Sequence, residues 1–200
     1  MALTASVGVA ALAQTSTYGT SLGVTPTPED LGNVAWASGP SGKDLPPGQG
    51  TAKQGAGIFL VKCSMCHGPN AEGVKQTPGA FSPFMGSRLG GGNSVPHFKP
   101  NPGQVTTIAY TVPWAQVIFN TIAVEMPFYN PGTLKADEVY SLTAFVLFKN
   151  SIIKEDDVLN RESLPKVQMP NRNNFPASDE VYMDMKKRGC IETYGECRDK

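Results

Sequence analysis

The sequence has little charge and no excess of either sign. Charged side chains make up 17% of its 200 residues, and the 17 basic residues cancel the 17 acidic ones. Proteins that bind nucleic acid or an anionic membrane surface usually carry a basic excess, so the composition argues against both partners. Long apolar runs are also missing, because no stretch approaches the roughly 20 apolar residues of a membrane-spanning helix. We therefore expect a soluble protein that does not span a membrane.

Basic residues are absent from the start of the chain, where the first one is Lys43. Residues 7–13 nevertheless form an apolar run ending in Ala-Leu-Ala, which resembles the cleavage site of a secretory signal peptide. The positively charged beginning of such a signal is missing, so either the leader is atypical or the listed start lies inside it. We favour the second interpretation: residues 1–13 are the remnant of a signal peptide whose true start lies upstream of Met1.

Cysteine is scarce, and two of the four cysteines stand in residues 63–67, Cys-Ser-Met-Cys-His. C-x-x-C-H is the attachment motif of a c-type haem. Cys63 and Cys66 lie one helical turn apart, where each thiol can add to a haem vinyl group, and His67 can ligate the iron from one face. Zinc would need further Cys or His ligands at short spacing, and a redox dithiol would lie near a βαβ pattern. The sequence shows neither, so it predicts one covalently bound haem c.

The other two cysteines, Cys190 and Cys197, lie close together near the end of the chain. Covalent haem attachment and four cysteines favour an oxidising compartment outside the cytoplasm, which predicts a periplasmic protein. In that compartment a disulfide between Cys190 and Cys197 is the preferred interpretation. Closing so short a loop contributes roughly 2.5 kcal/mol through chain entropy, enough to hold the tail but not to organise the fold.

Glycine and proline are abundant, at 21 and 17 residues, and divide the chain into a helical centre and irregular ends. Residues 14–50 are rich in Thr, Ser, Gly and Pro and are predicted to form an extended N-terminal arm. Residues 51–150 hold the haem motif and the apolar periodicity, which predicts a monohaem domain. Residues 151–200 become polar again and form a C-terminal extension with the predicted disulfide.

The helix that carries the haem motif is predicted over about residues 51–66. Thr51 and Gln54 fit the two positions of a capping box at its start. Gly55 and Phe59 lie at four-residue steps before the first motif cysteine, hence on one helix face. The glycine would let another helix approach closely.

Two further helices are predicted in the same domain. One begins at Pro113, which suits the first helical position, and ends at Met126 because Pro127 disfavours helix for the residue before it. The other covers about residues 135–149 and has a broad apolar face. That face is the natural partner of the glycine-containing face of the first helix.

The residue on the second face of the iron decides the function. A methionine opposite a histidine raises the reduction potential and fills both axial sites, as electron-transfer cytochromes require. Met126 is our choice because it stands at a helix exit, just before a proline, although a core methionine is the ordinary interpretation of any single Met. Met85 and His97 are the alternatives. Met65 lies inside the motif, on the wrong face.

With these residues placed, the chain resembles the class I c-type cytochromes. The resemblance rests on the motif helix, on Met126-Pro127 and on the apolar helix ending in residues 142–147. It implies a mainly α fold, with three to four helices around one covalent haem and long irregular N- and C-terminal extensions. The family often has Ser or Thr at the start of the last helix, where Lys135 stands here, so a weaker cap is expected.

A narrower resemblance is to the cytochrome subunit of sulfane and sulfite dehydrogenases (the SoxD type). It is carried by residues 45–50, 125–128, 137–140 and 164–171 and by the terminal cysteine pair. Cytochromes of that group pair with a molybdenum-containing dehydrogenase that oxidises sulfite or protein-bound sulfane sulfur. The resemblance implies an electron-transfer subunit, without catalysis of its own, that passes single electrons from such an enzyme to a downstream cytochrome or oxidase.

Two alternatives to this function remain. The protein could accept electrons from another periplasmic dehydrogenase, such as one for alcohols. It could also be a haem enzyme or a binder of a small ligand, such as thiosulfate or a diatomic gas, with an open sixth site. Carbon monoxide binding to the reduced protein separates the second alternative from electron transfer.

Overall fold

The computed structural model describes residues 25–74, 86–95 and 103–175, together with residue 187. The chain divides into two compact units, residues 1–31 and 32–200. The described part of the first unit contains α1 (Pro28–Leu31). In the second unit, a 3-10 helix (Gly32–Trp36) and β1 (Gln49–Gly50) precede α2 (Ala52–Lys62), α3 (Ser64–His67), α4 (Ile108–Thr111), α5 (Ala115–Glu125) and α6 (Ala136–Lys149). β2 (Leu159–Asn160) and two 3-10 helices (Leu164–Lys166 and Arg172–Asn174) follow.

The fold is mainly α, as predicted. Its two short strands pair the segment before α2 with the segment after α6. They pair antiparallel, with Gln49 opposite Asn160 and Gly50 opposite Leu159. None of the helices in the described ranges has the length and apolarity that crossing a bilayer requires.

The helix that leads into the haem motif begins as predicted. The Thr51 hydroxyl accepts the Gln54 N–H at 3.3 Å, and the Gln54 side chain accepts the Thr51 N–H at 2.9 Å. The predicted continuous helix to Cys66 is wrong in one respect, because Cys63 leaves helical geometry at φ −124° and ψ −30°. The first thiol therefore sits at the junction of α2 and α3.

The predicted contact between α2 and α6 is confirmed and forms the centre of the core. A methyl group at Gly55 would collide with the Ser141 carbonyl and lie 2.9 Å from the Phe145 Cβ, so only glycine allows this approach. One helical turn further on, the rings of Phe59 and Phe145 pack together at a tilt of 37°, with their centroids 4.7 Å apart. The contact fixes the end of α2, and hence the motif, against α6.

The segments before α2 and after α6 both contribute to this core. Leu45 is 1% exposed, and the Tyr140 hydroxyl of α6 donates to the Pro46 carbonyl at 2.9 Å. Burial raises the pKa of Tyr140 to about 12, so the donor stays protonated. After α6, the side chains of Leu164 and Met169 are buried as well.

The start of α6 compensates for the missing Ser or Thr cap. The Glu138 carboxylate accepts the backbone N–H of Lys135 at 2.9 Å and the Lys62 ammonium at 2.7 Å. Burial works in the opposite direction, but these bonds hold the pKa of the Glu138 carboxyl below its ordinary value of 4.5. One carboxylate thus caps α6 and ties it to the residue before Cys63.

Replacing Glu138 by glutamine should lower stability in a pH-dependent way. The amide oxygen can still accept from Lys135, so the substitution mainly removes the charge. Because the folded pKa is depressed, the charge stabilises the fold above pH 4.5, and this is lost as pH falls through the folded value. We expect a loss below about 1 kcal/mol near neutral pH, since the pair is partly exposed. Urea unfolding at neutral and acid pH checks this, and an equal loss at both would contradict it.

Candidate functional site

An apolar cavity of about 430 Å³ lies beside the motif. This volume falls in the usual range, roughly 300–1,000 Å³, of small-molecule and cofactor sites. Its walls come from α2, α5 and α6 and from the segments beside them, with Phe59, Ile118, Ile122, Leu134, Leu142 and Val146 among the apolar side chains. The core contact described above therefore also builds the cavity wall.

Cys63, Cys66 and His67 all line this cavity. Burial raises the pKa of the Cys63 thiol to about 11; Lys62 acts in the opposite direction, and Cys66 adds to the increase. A neutral sulfur suits an apolar wall better than a thiolate does. The lining of the cavity therefore suits a neutral sulfur, such as that of a thioether.

The backbone of residues 86–87 orients the imidazole of His67. His67 Nδ1 lies 2.8 Å from the Ser87 carbonyl oxygen, which can only accept, so Nδ1 carries the proton. Nε2 is then left with a lone pair for a metal, the arrangement that a ligating histidine usually has. A side chain at Gly86 would lie 2.6 Å from His67 Nδ1, so the glycine leaves room for the ring.

Met126 lines the same cavity as His67, as the choice of Met126 for the sixth ligand requires. It is the residue at which α5 ends, with extended backbone at φ −116° and ψ 150°. The predicted end of the helix before Pro127 is therefore confirmed. Met169, by contrast, is 4% exposed in the core and does not line the cavity.

Several predicted residues lie outside the described part of the chain. They are the alternative ligands Met85 and His97 and the predicted disulfide partners Cys190 and Cys197. Their assignments stay predictions.

Two thiols, an imidazole with a free Nε2 and a thioether thus converge on one apolar cavity. These are the donors that a covalent, axially ligated haem uses. Sequence reasoning found all four, but it missed Gly86 and Ser87. Neither stands in a recognisable motif, and Ser87 contributes only a backbone carbonyl.

Comparisons with known proteins agree with this chemistry. The cytochrome c family model matches residues 52–148, which include the motif, α5 and nearly all of α6. The crystal structure of the sulfane dehydrogenase SoxCD from Paracoccus pantotrophus is similar, with a TM-score of 0.65 and 28% sequence identity. That similarity covers 90% of this chain and 80% of the other. A comparison with curated proteins gave no match.

Proposed function

Because this chain is a class I c-type cytochrome with covalently bound haem c, we propose that it carries single electrons from a molybdenum-containing sulfur dehydrogenase to a downstream cytochrome or oxidase. The observation that carries the proposal is the presence of His67 and Met126 in one apolar cavity. Two strong protein ligands leave no iron site for a substrate, which suits a carrier of electrons. The donor class is supported by the similarity to a sulfane dehydrogenase structure.

In this proposal each residue of the site has one task. Cys63 and Cys66 would hold the haem covalently, His67 would ligate its iron through Nε2, and Met126 would supply the second protein ligand. Bound haem supplies an iron that changes between the ferric and ferrous states. The Ser87 carbonyl would keep the imidazole in the ligating tautomer and hold the orientation of the ring. The apolar walls would keep water away from the iron, so the surrounding protein groups would set its reduction potential.

Three exposed side chains at the cavity offer a contact surface for the redox partner. Met65, Phe128 and Tyr129 are 63%, 73% and 59% exposed, and all three line the cavity. Phe128 and Tyr129 pack edge to face, with ring centroids 5.4 Å apart. Aromatic residues and methionine are enriched in protein interfaces. We assign this surface, the cavity rim, to the molybdenum-containing dehydrogenase, since electrons must enter where the partner can approach the haem.

Stopped-flow reduction tests the proposed donor and the cavity rim together. The ferric protein is mixed with a purified molybdenum sulfane dehydrogenase subunit and its sulfur substrate, and we expect one electron to be taken up per chain. Phe128→Ala should slow this reduction by up to about tenfold, as for an aromatic interface residue. The matched control is Phe175→Ala, because Phe175 is 49% exposed but does not line the cavity.

Each outcome of this experiment points to a different failure. Reduction by an alcohol dehydrogenase but not by the sulfur enzyme would replace the proposed donor with another one. Equal rates for the Phe128 and Phe175 variants would remove the cavity rim from the contact surface and leave the donor in place.

The remaining assignments belong to the same proposal. The proposal keeps the predicted division of the chain, in which residues 51–150 would form the monohaem domain between an N-terminal segment (14–50) and a C-terminal segment (151–200). We place the protein in the periplasm, where haem c is attached and where a Cys190–Cys197 disulfide would persist.

A further inference from the structure

The side chain of Asn33 joins the two ends of the segment that carries Met126. Its Nδ2 donates to the Leu134 carbonyl at 2.9 Å and to the Ala123 carbonyl at 3.3 Å. Both partners are carbonyl oxygens, so the amide must present its NH₂ group to them. Asn33 is 7% exposed, and these bonds are therefore shielded from water.

The two carbonyls flank the segment that holds the proposed ligand and the cavity rim. Ala123 belongs to the last turn of α5, three residues before Met126. Leu134 stands two residues before α6, and its side chain lines the cavity. One amide thus closes the loop formed by residues 124–133 from both sides.

The loop also has its own turn. The Asn130 N–H donates to the Pro127 carbonyl at 2.8 Å, and the Thr133 hydroxyl donates to the Asn130 carbonyl at 2.8 Å. These bonds shape the tip of the loop. The Asn33 side chain, by contrast, bonds to a backbone carbonyl at each end of the loop.

We propose that Asn33 is a positioning residue that keeps the Met126 thioether on the iron and so limits the access of external ligands. The inference rests on the proposed ligation by Met126. When the amide is removed, two buried carbonyls lose their partner and the loop ends can separate, which favours departure of the methionine. Asn33, which lies far from the attachment motif in sequence, would thereby control how readily an external ligand reaches the haem iron.

Asn120 provides a matched control. It fastens the same N-terminal segment to α5, through reciprocal bonds with Ser38 at 3.0 and 2.9 Å. Both bonds lie outside the Met126 loop. Asn120→Ala should therefore cost comparable stability without separating the loop ends.

Carbon monoxide binding to the reduced holoprotein tests the proposal. If methionine must leave first, the binding rate levels off at high carbon monoxide because that departure becomes limiting. Asn33→Ala should raise the limiting rate about tenfold, since two hydrogen bonds of ordinary net strength are lost. Asn33→Asp, which keeps the size but not the donors, should do the same, while Asn120→Ala stays near the parent rate. Hydrogen exchange should rise in residues 124–133 in the Asn33 variants only.

The outcomes separate the two claims. Equal rates for the Asn33 and Asn120 variants, or unchanged rates with lower stability, would overturn the positioning role and leave the ligation by Met126 standing. A parent protein that binds carbon monoxide quickly and without a limiting rate would overturn the ligation and the positioning role with it.

Discussion

Replacing Met126 by alanine should abolish the absorbance band at the red end of the visible spectrum of the oxidised protein and lower the reduction potential. The band reports a methionine sulfur bound to ferric haem iron. A thioether also favours the ferrous state, so its loss should lower the potential by on the order of 0.1 V, within the roughly 0.8 V that axial ligands span. Absorbance spectra and a potentiometric titration measure both effects.

Met65→Ala is the control for this substitution. Met65 also lines the cavity, but it lies within the attachment motif and is 63% exposed. We expect its variant to keep the red band and a potential close to that of the parent. Loss of the band in the Met65 variant, or its survival in the Met126 variant, would contradict the assignment of the sixth ligand.

Gly55→Ala should lower the free energy of unfolding more than other small substitutions in α2. The added methyl group would collide with the Ser141 carbonyl of α6, and backbone atoms cannot step aside as the end of a side chain can. Overpacking of this kind typically costs about 1–3 kcal/mol. Because α2 and α6 also form walls of the haem cavity, the variant should incorporate less haem.

Gly57→Ala in the same helix should have the opposite effect on the free energy of unfolding. A methyl group there meets no atom within 4 Å, so only the backbone preference changes. Alanine is favoured over glycine in a helix by up to about 1 kcal/mol, and this variant should be slightly more stable than the parent. Urea unfolding of both holoproteins compares them, and equal effects would contradict the close packing at Gly55.

Local chemistry explains what could be predicted from the sequence. The attachment motif, the capping box at Thr51, the glycine on the face before Cys63 and the proline after Met126 each act through neighbours within a few residues. The capping box, the close approach at the glycine and the helix end before Pro127 were found where predicted, because capping bonds and helix ends depend on short spacings. The α2–α6 pairing also followed, since Gly55 was the small residue on the apolar face of α2.

Long-range hydrogen bonds explain what could not be predicted. The Ser87 carbonyl lies 20 residues from His67 in sequence, and the partners of Asn33 lie 90 and 101 residues away. A backbone carbonyl has no signature in a sequence, and an asparagine in an irregular segment has the turn and cap roles as equally good explanations. The break at Cys63 also escaped prediction, since about residues 51–66 were predicted as one continuous helix.

The central claim is that this protein carries electrons on an iron whose two axial sites are both filled by protein ligands. Mixing the reduced, unmodified holoprotein with carbon monoxide tests this claim most directly. His67 and Met126 both line the cavity, so we predict slow binding whose rate levels off as the carbon monoxide concentration rises. Fast binding that stays proportional to carbon monoxide would show an open sixth site. That result would contradict the account and favour a haem enzyme or a small-ligand binder.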